Sequence, residues 1–70
     1  MSKMTEYIDK RGWKFRVMNG LGDVWKACYN KPYRNIWQEV DVLPWRENRE
    51  DAERDLEVYA ASHGMKKVES

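Results

Sequence analysis

Residues 13–29 read WKFRVMNGLGDVWKACY, and the alternation in this stretch decides the fold. Trp13, Phe15 and Val17 alternate with Lys14, Arg16 and Met18. Beyond Asn19-Gly20-Leu21-Gly22-Asp23, Trp25, Ala27 and Tyr29 alternate with Val24, Lys26 and Cys28. Period-two alternation marks half-buried strands, and glycines supply the positive φ that a tight turn needs. The expected unit is a hairpin, with a first strand over residues 13–18 and a second over residues 23–29. Pairing Asn19 with Asp23 leaves the loop Gly20-Leu21-Gly22 and sets Val17 opposite Trp25, Phe15 opposite Ala27 and Trp13 opposite Tyr29. A one-residue slip would set Phe15 against Lys26 and Arg16 against Trp25, so burial selects the first register.

Outward from the hairpin, Asn30 to Asn35 reads as a loop, with Pro32 unable to donate to a ladder. A third strand is expected from Ile36 to Leu43. With Ile36 opposite Tyr29, Val40 opposes Trp25 on the core face and Gln38 lies inward beside Ala27, where it needs a partner or an edge position. On the outer face Lys26 then meets Glu39, an opposite-charge pair worth roughly 0.2–1 kcal/mol. Trp37 points outward, either exposed or tucked under the Asn30–Asn35 loop; the opposite register would bury Glu39 and Asp41 with it. Pro44-Trp45 ends the strand, with Trp45 as a core plug at the junction with the helix.

Asn48 reads as a helix N-cap, with Glu50 and Asp51 in the first turn, where the helix dipole favours anions. Ala52, Leu56, Tyr59, Ala60 and His63 form one stripe at helical spacing. Glu50 and Arg54 make an i,i+4 pair on the wet side, and Gly64 is the natural residue just past the helix end. Residues 1–10 are either flexible or a short extra segment, and residues 65–70 a tail or a short edge strand. The expected fold is α+β over residues 1–70 as one domain: a three-stranded antiparallel β-meander with one C-terminal helix on one face. Its core should contain Trp13, Phe15, Val17, Trp25, Ala27, Tyr29, Val40, Leu56, Tyr59 and Ala60.

A chain of 70 residues makes a thin core, since such a domain buries only about 60% of its unfolded surface. Four Trp, four Tyr and one Phe compensate, each large ring burying roughly 150–250 Å². Cys28 is the only cysteine, which excludes an intramolecular disulfide and a Cys-rich zinc cluster. A free thiol suits a reducing compartment. Residues 1–10 lack an apolar signal-peptide core, and no apolar run approaches a membrane span. A cytoplasmic protein with no membrane partner is the expectation. The net charge of +1 hides an asymmetry: residues 1–34 hold eight Lys/Arg against three Asp/Glu, residues 35–70 five against nine. The reading favoured here is mutual attraction of the halves, basic first strands against an acidic helix and third strand; the other is a basic patch for an anionic partner.

No catalytic motif is present: no P-loop, no G-x-G-x-x-G, no H-E-x-x-H and no C-x-x-C. A Cys–His pair would need Cys28 beside His63, the only histidine, but the register places them on opposite sides of the sheet. Glu50, Glu53 and Glu57 share a solvated helix side. No catalytic residue, metal ligand, cofactor or small-molecule substrate is expected, and the chain reads as a non-enzyme. One helix covers one side of a sheet, so the other face is open. A protein partner or a second copy would use Trp37 as an anchor with Arg16, Lys26 and Met18 around it, since Trp and Arg are enriched at interface hot spots. Nucleic acid would use Lys14, Arg16, Lys26, Lys31 and Arg34.

Three antiparallel strands followed by a helix, carried by RGWKFRVMNGLGDVWKA and then EDAERDLEVYAASHG, resemble AP2-type and integrase N-terminal arm-binding domains. The likeness is one of layout and covers about two thirds of the chain. It implies a sheet that enters the DNA major groove, with Lys14, Arg16 and Lys26 as readers. The chain departs from that pattern in Glu39 and Asp41 on the reading face, in its acidic helix and in a tail that offers only Lys66-Lys67. Double-stranded-RNA-binding domains share the β-β-β-α core, but the helix before their first strand has no counterpart here.

Overall fold

The hairpin at residues 13–29 is present, two residues away from the expected register. In the computed structural model, which describes residues 5–69, the first two expected strands become β2 (Lys14–Asn19) and β3 (Trp25–Asn30). Asn19 faces Trp25, so Val17 opposes Ala27 and Phe15 opposes Tyr29. A slip of two leaves every side chain on its expected face, because side-chain direction repeats every two residues. Burial therefore cannot choose between the two registers, and the loop does. Gly20 N–H donates to Val24 C=O at 2.8 Å, and Asn19 Nδ2 donates to the carbonyls of Val24 at 3.0 Å and Gly22 at 3.3 Å. Gly22 takes φ +78° at the loop's tight point, and residues 20–24 form the connection.

The sheet has five strands, not three. Residues 5–8 of the first segment form β1 (Thr5–Ile8), and β5 (Lys66–Glu69) follows the helix. The strand order is β4-β3-β2-β1-β5, antiparallel throughout. Each terminal segment thus takes the paired form of its two expected alternatives; residues 1–4 and 70 lie outside the described residues. The expected third strand shortens to β4 (Trp37–Glu39). Val40 N–H still reaches Ala27 C=O at 3.0 Å, and the chain then turns, with Leu43 N–H on Val40 C=O at 3.1 Å. This pairing is also displaced by two: Gln38, not Ile36, opposes Tyr29. Ile36 is exposed. Gln38 gains the partner it needs, since Tyr29 OH donates to its Oε1 at 2.6 Å.

The helix α1 (Arg49–Ser62) begins as expected, with Asn48 Oδ1 accepting from Asp51 N–H at 2.9 Å. It ends in a Schellman motif: Gly64 has φ +65°, Met65 N–H returns to Ala60 C=O at 2.9 Å and Gly64 N–H to Ala61 C=O at 3.4 Å. Ala52, Leu56 and Ala60 are buried against the sheet with Tyr7, Phe15, Ala27 and Val40. Trp13, Val17, Tyr29, Leu43, Tyr59 and Met65 pack around them. Trp25 is outside this cluster: it sits half-buried at the strand end, with Arg49 above its ring at 5.8 Å. Tyr7 takes a core position instead. The two-residue register change moves Trp25 away from Val17 and toward the start of the helix.

Two further expectations are corrected on the helix. Arg54 reaches Asp51 at 3.7 Å rather than Glu50, and Arg49 bonds Glu53 at 2.9 Å. His63 is exposed at the helix end, its ring 4.1 Å from that of Tyr59.

Candidate interaction face

The registers define the face that α1 leaves uncovered. One row across it runs Glu39, Cys28, Arg16, Glu6 and Val68, from β4 to β5. The next runs Trp37, Asn30, Lys14, Ile8 and Lys66. Lys26 and Met18 oppose each other in the row on the other side. Ile8, Met18 and Trp37 are half-buried, while Lys14, Lys66 and Val68 are exposed.

The three residues expected to meet a partner all lie here, in different states. The Arg16 guanidinium lies over the Trp37 ring at 4.3 Å, a cation–π contact. Trp37 is therefore half-buried rather than fully exposed, with Arg16 covering its ring. The Arg16 Nε is out of reach of solvent and has no hydrogen-bond partner among the described residues. Lys26 is 7% exposed. Its Nζ is 3.6 Å from Glu39 Oε1 and 5.5 Å from the Trp45 ring. The expected Lys26–Glu39 pair thus forms on a diagonal, because Cys28 and not Lys26 stands opposite Glu39.

Trp45 is not a core plug. Arg46 bridges to Trp25 through two backbone hydrogen bonds of 2.7 and 2.8 Å. That bridge turns the Arg46 side chain toward the helix, where it holds Asp55 with two bonds of 2.7 and 3.1 Å. Alternation sends Trp45 to the opposite face, where it is 42% exposed and lies against Gly20. Gly20, Leu21, Val24, Glu39 and Trp45 line a shallow, mostly apolar hollow there.

The candidate nucleic-acid residues divide. Lys14, Arg16 and Lys26 are on the open face, whereas Lys31 lies 4.9 Å over the Trp13 ring and Arg34 is exposed in the loop before β4. The ion pairs also depart from the expected attraction between halves. Of the five formed among the described residues, only Lys26–Glu39 joins the first 34 residues to the rest.

Cys28 and His63 occupy opposite sides of the sheet, as the alternation requires. Burial pushes the Cys28 thiol pKa up, the nearby Glu39 charge adds to this, and Lys26 opposes it. On the helix side, Thr5, Tyr7, Glu50, Glu53, Arg54, Glu57 and Lys67 line a groove. Burial, then the charges of Glu57 and Glu53, raise the Tyr7 hydroxyl pKa. Among the described residues no three His, Cys, Asp or Glu side chains converge as metal ligands. No described helix is long and apolar enough to cross a membrane.

Sequence reasoning missed Glu6, Ile8, Lys66 and Val68, the share of the face that β1 and β5 supply. Their signal was the alternation around Tyr7 and in Lys66-Lys67-Val68, too short to separate a strand from a tail.

No family model matches the chain, and no curated protein or solved structure matches it either.

Proposed function

We propose that the domain is a non-catalytic interaction module that binds a protein partner, or a second copy of itself, through the open sheet face. The observation that carries this reading is the Arg16–Trp37 stack on an uncovered sheet, with half-buried Ile8 and Met18 nearby. Trp and Arg are the side chains most enriched at the energetic centres of interfaces. Lys26 contributes as the cation under Glu39 and Trp45 that sets the face's local charge. A reducing, cytoplasmic compartment suits a domain whose single thiol is buried.

The test is a concentration series of labelled protein followed by NMR and sedimentation, alone and with candidate partners. Self-association or partner binding should move the Trp37 indole and the Arg16, Ile8 and Met18 resonances together. Trp37→Ala should abolish that association while the fold remains. An association that survives Trp37→Ala in full sinks the reading.

A second reading keeps the DNA-binding accessory role that the AP2 and integrase-arm layout implies, with Lys14, Arg16, Lys31 and Arg34 as contacts; Lys26, buried and paired with Glu39, drops out of the expected set. It is favoured by Lys14 and Lys66, exposed cations that flank Ile8 on the same face. The two readings differ in salt response: phosphate contacts release counterions and weaken steeply with salt, whereas a Trp37-centred protein contact does not.

A further inference from the structure

We propose that the loop end of the sheet, rather than the centre of its open face, takes the phosphate backbone of double-stranded DNA; this placement rests on the nucleic-acid reading above. Ile8, Lys14, Asn30, Trp37 and Lys66 form the last row of the sheet, each in register with its neighbour. The β1–β2 turn and the β3–β4 loop therefore leave the sheet at the same end. They touch: a Cβ on Gly12 would lie 3.7 Å from the Pro32 ring.

This end gathers Lys10, Arg11, Lys14, Lys31, Arg34 and Lys66. Only Arg11 has an ion-pair partner among the described residues, Asp9 at 2.7 Å. The arginines of the second half are the opposite case, for Arg46, Arg49 and Arg54 are each paired with a carboxylate. The basic excess of the first half is thus largely segregated at one end instead of being neutralised by the acidic helix.

Trp13 organises the cluster. Its ring is stacked on Tyr29 at 5.2 Å and 9°, which anchors it to the core, and it holds a cation from each loop, Arg11 at 3.5 Å and Lys31 at 4.9 Å. Of the two cations on this ring only Arg11 is paired with a carboxylate, which leaves Lys31 to an anion, although Asp41 lines the same hollow as Arg11 and Trp13. With both cations and Tyr29 on it, Trp13 is a scaffold for charge and not a platform for an unstacked base, which favours duplex over single strand.

The geometry suits a duplex. Strands lie about 4.8 Å apart, so Lys14 and Lys66, two strands apart in the row, are roughly 10 Å from each other, with Lys31 and Arg34 beyond them on the β3–β4 loop, a reach comparable with a major groove about 12 Å wide.

The test is fluorescence anisotropy of the full chain on a labelled mixed-sequence duplex across a salt series. If all five unpaired cations engage, log affinity should fall against log salt with a slope of about −4 to −5. Lys10→Glu/Arg34→Glu alters two exposed, unpaired side chains. It should weaken binding at low salt at least tenfold and flatten the slope by about 2, and Lys10→Gln/Arg34→Gln should fall between. Circular dichroism verifies that these variants fold. Leu21→Ser, exposed at the opposite end of the sheet, should bind like the parent. Loss with Arg16→Gln, one row in on the open face, and none with the loop variants overturns this placement and leaves the nucleic-acid reading standing; no duplex binding at low salt overturns both. Polyglutamate competing as well as unlabelled duplex overturns the assignment to DNA.

Discussion

Gly20→Ala should break the seam between the β2–β3 loop and Trp45. A Cβ at this position would collide with two atoms of the Trp45 ring, the farther of them 2.7 Å away, whereas carbon atoms rest at about 3.5–4.0 Å. The ring must retreat by roughly 1 Å or more to reach that distance. Pro44 before it and the Arg46–Trp25 hydrogen bonds of 2.7 and 2.8 Å after it hold the backbone, so the ring must move by turning about its side-chain bonds and giving up its contact with the loop. Overpacking of this kind costs about 1–3 kcal/mol. For a domain of this size each kcal/mol moves Tm by about 4–8 °C, so a fall of about 5–20 °C is expected. Thermal unfolding followed by circular dichroism reads it, and the Trp45 indole resonance should shift.

Two controls separate sterics from backbone effects. Gly22→Ala meets no atom within 4 Å but must hold φ +78°, so it should cost only about 1 kcal/mol, through conformation alone. Trp45→Ala removes the clash, and in that background Gly20→Ala should become nearly neutral, a coupling of about 1 kcal/mol or more. Additive effects in this cycle, or a Gly20→Ala domain with unchanged Tm and an unmoved Trp45 resonance, would refute the reasoning.

Other outcomes follow from the same structure. Asp9 Oδ1 accepts the backbone N–H groups of Arg11 at 2.9 Å and Trp13 at 3.0 Å, so Asp9→Ala should cost about 1–3 kcal/mol in chemical denaturation, and a smaller loss would mean the turn holds without it. Burial pushes the Asp9 carboxyl up, but the hydrogen bonds from Arg11 and Trp13 and the Arg11 charge outweigh it and leave the pKa below the usual range. A carboxylate with a depressed folded pKa stabilises above its unfolded pKa and loses that effect as pH falls through the folded value, below about 4. Parent and Asp9→Asn stabilities should therefore converge in acid, measured by denaturant titration at several pH values. Cys28, buried and with a raised pKa, should react slowly with iodoacetamide in the native state and rapidly after unfolding; equal rates would contradict its burial. Leu56, 1% exposed beneath the sheet, should cost about 2–5 kcal/mol as Leu56→Ala, read by the midpoint of urea unfolding.

The hairpin faces, the helix and both of its caps were legible in the chain, because each follows from contacts between residues near in sequence. Alternation assigned Phe15 and Ala27 to one side and Arg16 and Cys28 to the other. Asn48 marked the helix start with a side-chain acceptor for the Asp51 N–H, and Gly64 marked its end with a positive φ that costs glycine little. Three things were decided by the folded chain alone. The register of both hairpins moved by two residues, a change that period-two alternation cannot detect and that loop hydrogen bonds and the Trp25–Arg46 bridge select. Short terminal segments became β1 and β5, since a strand of four residues carries little intrinsic preference and forms when a neighbouring edge offers it backbone partners. Charge was the third: composition revealed a basic half and an acidic half, yet their ion pairs formed mostly within each half. Which cations remained unpaired depended on the common end at which two distant loops leave the sheet, a property of topology that no local stretch of sequence contains.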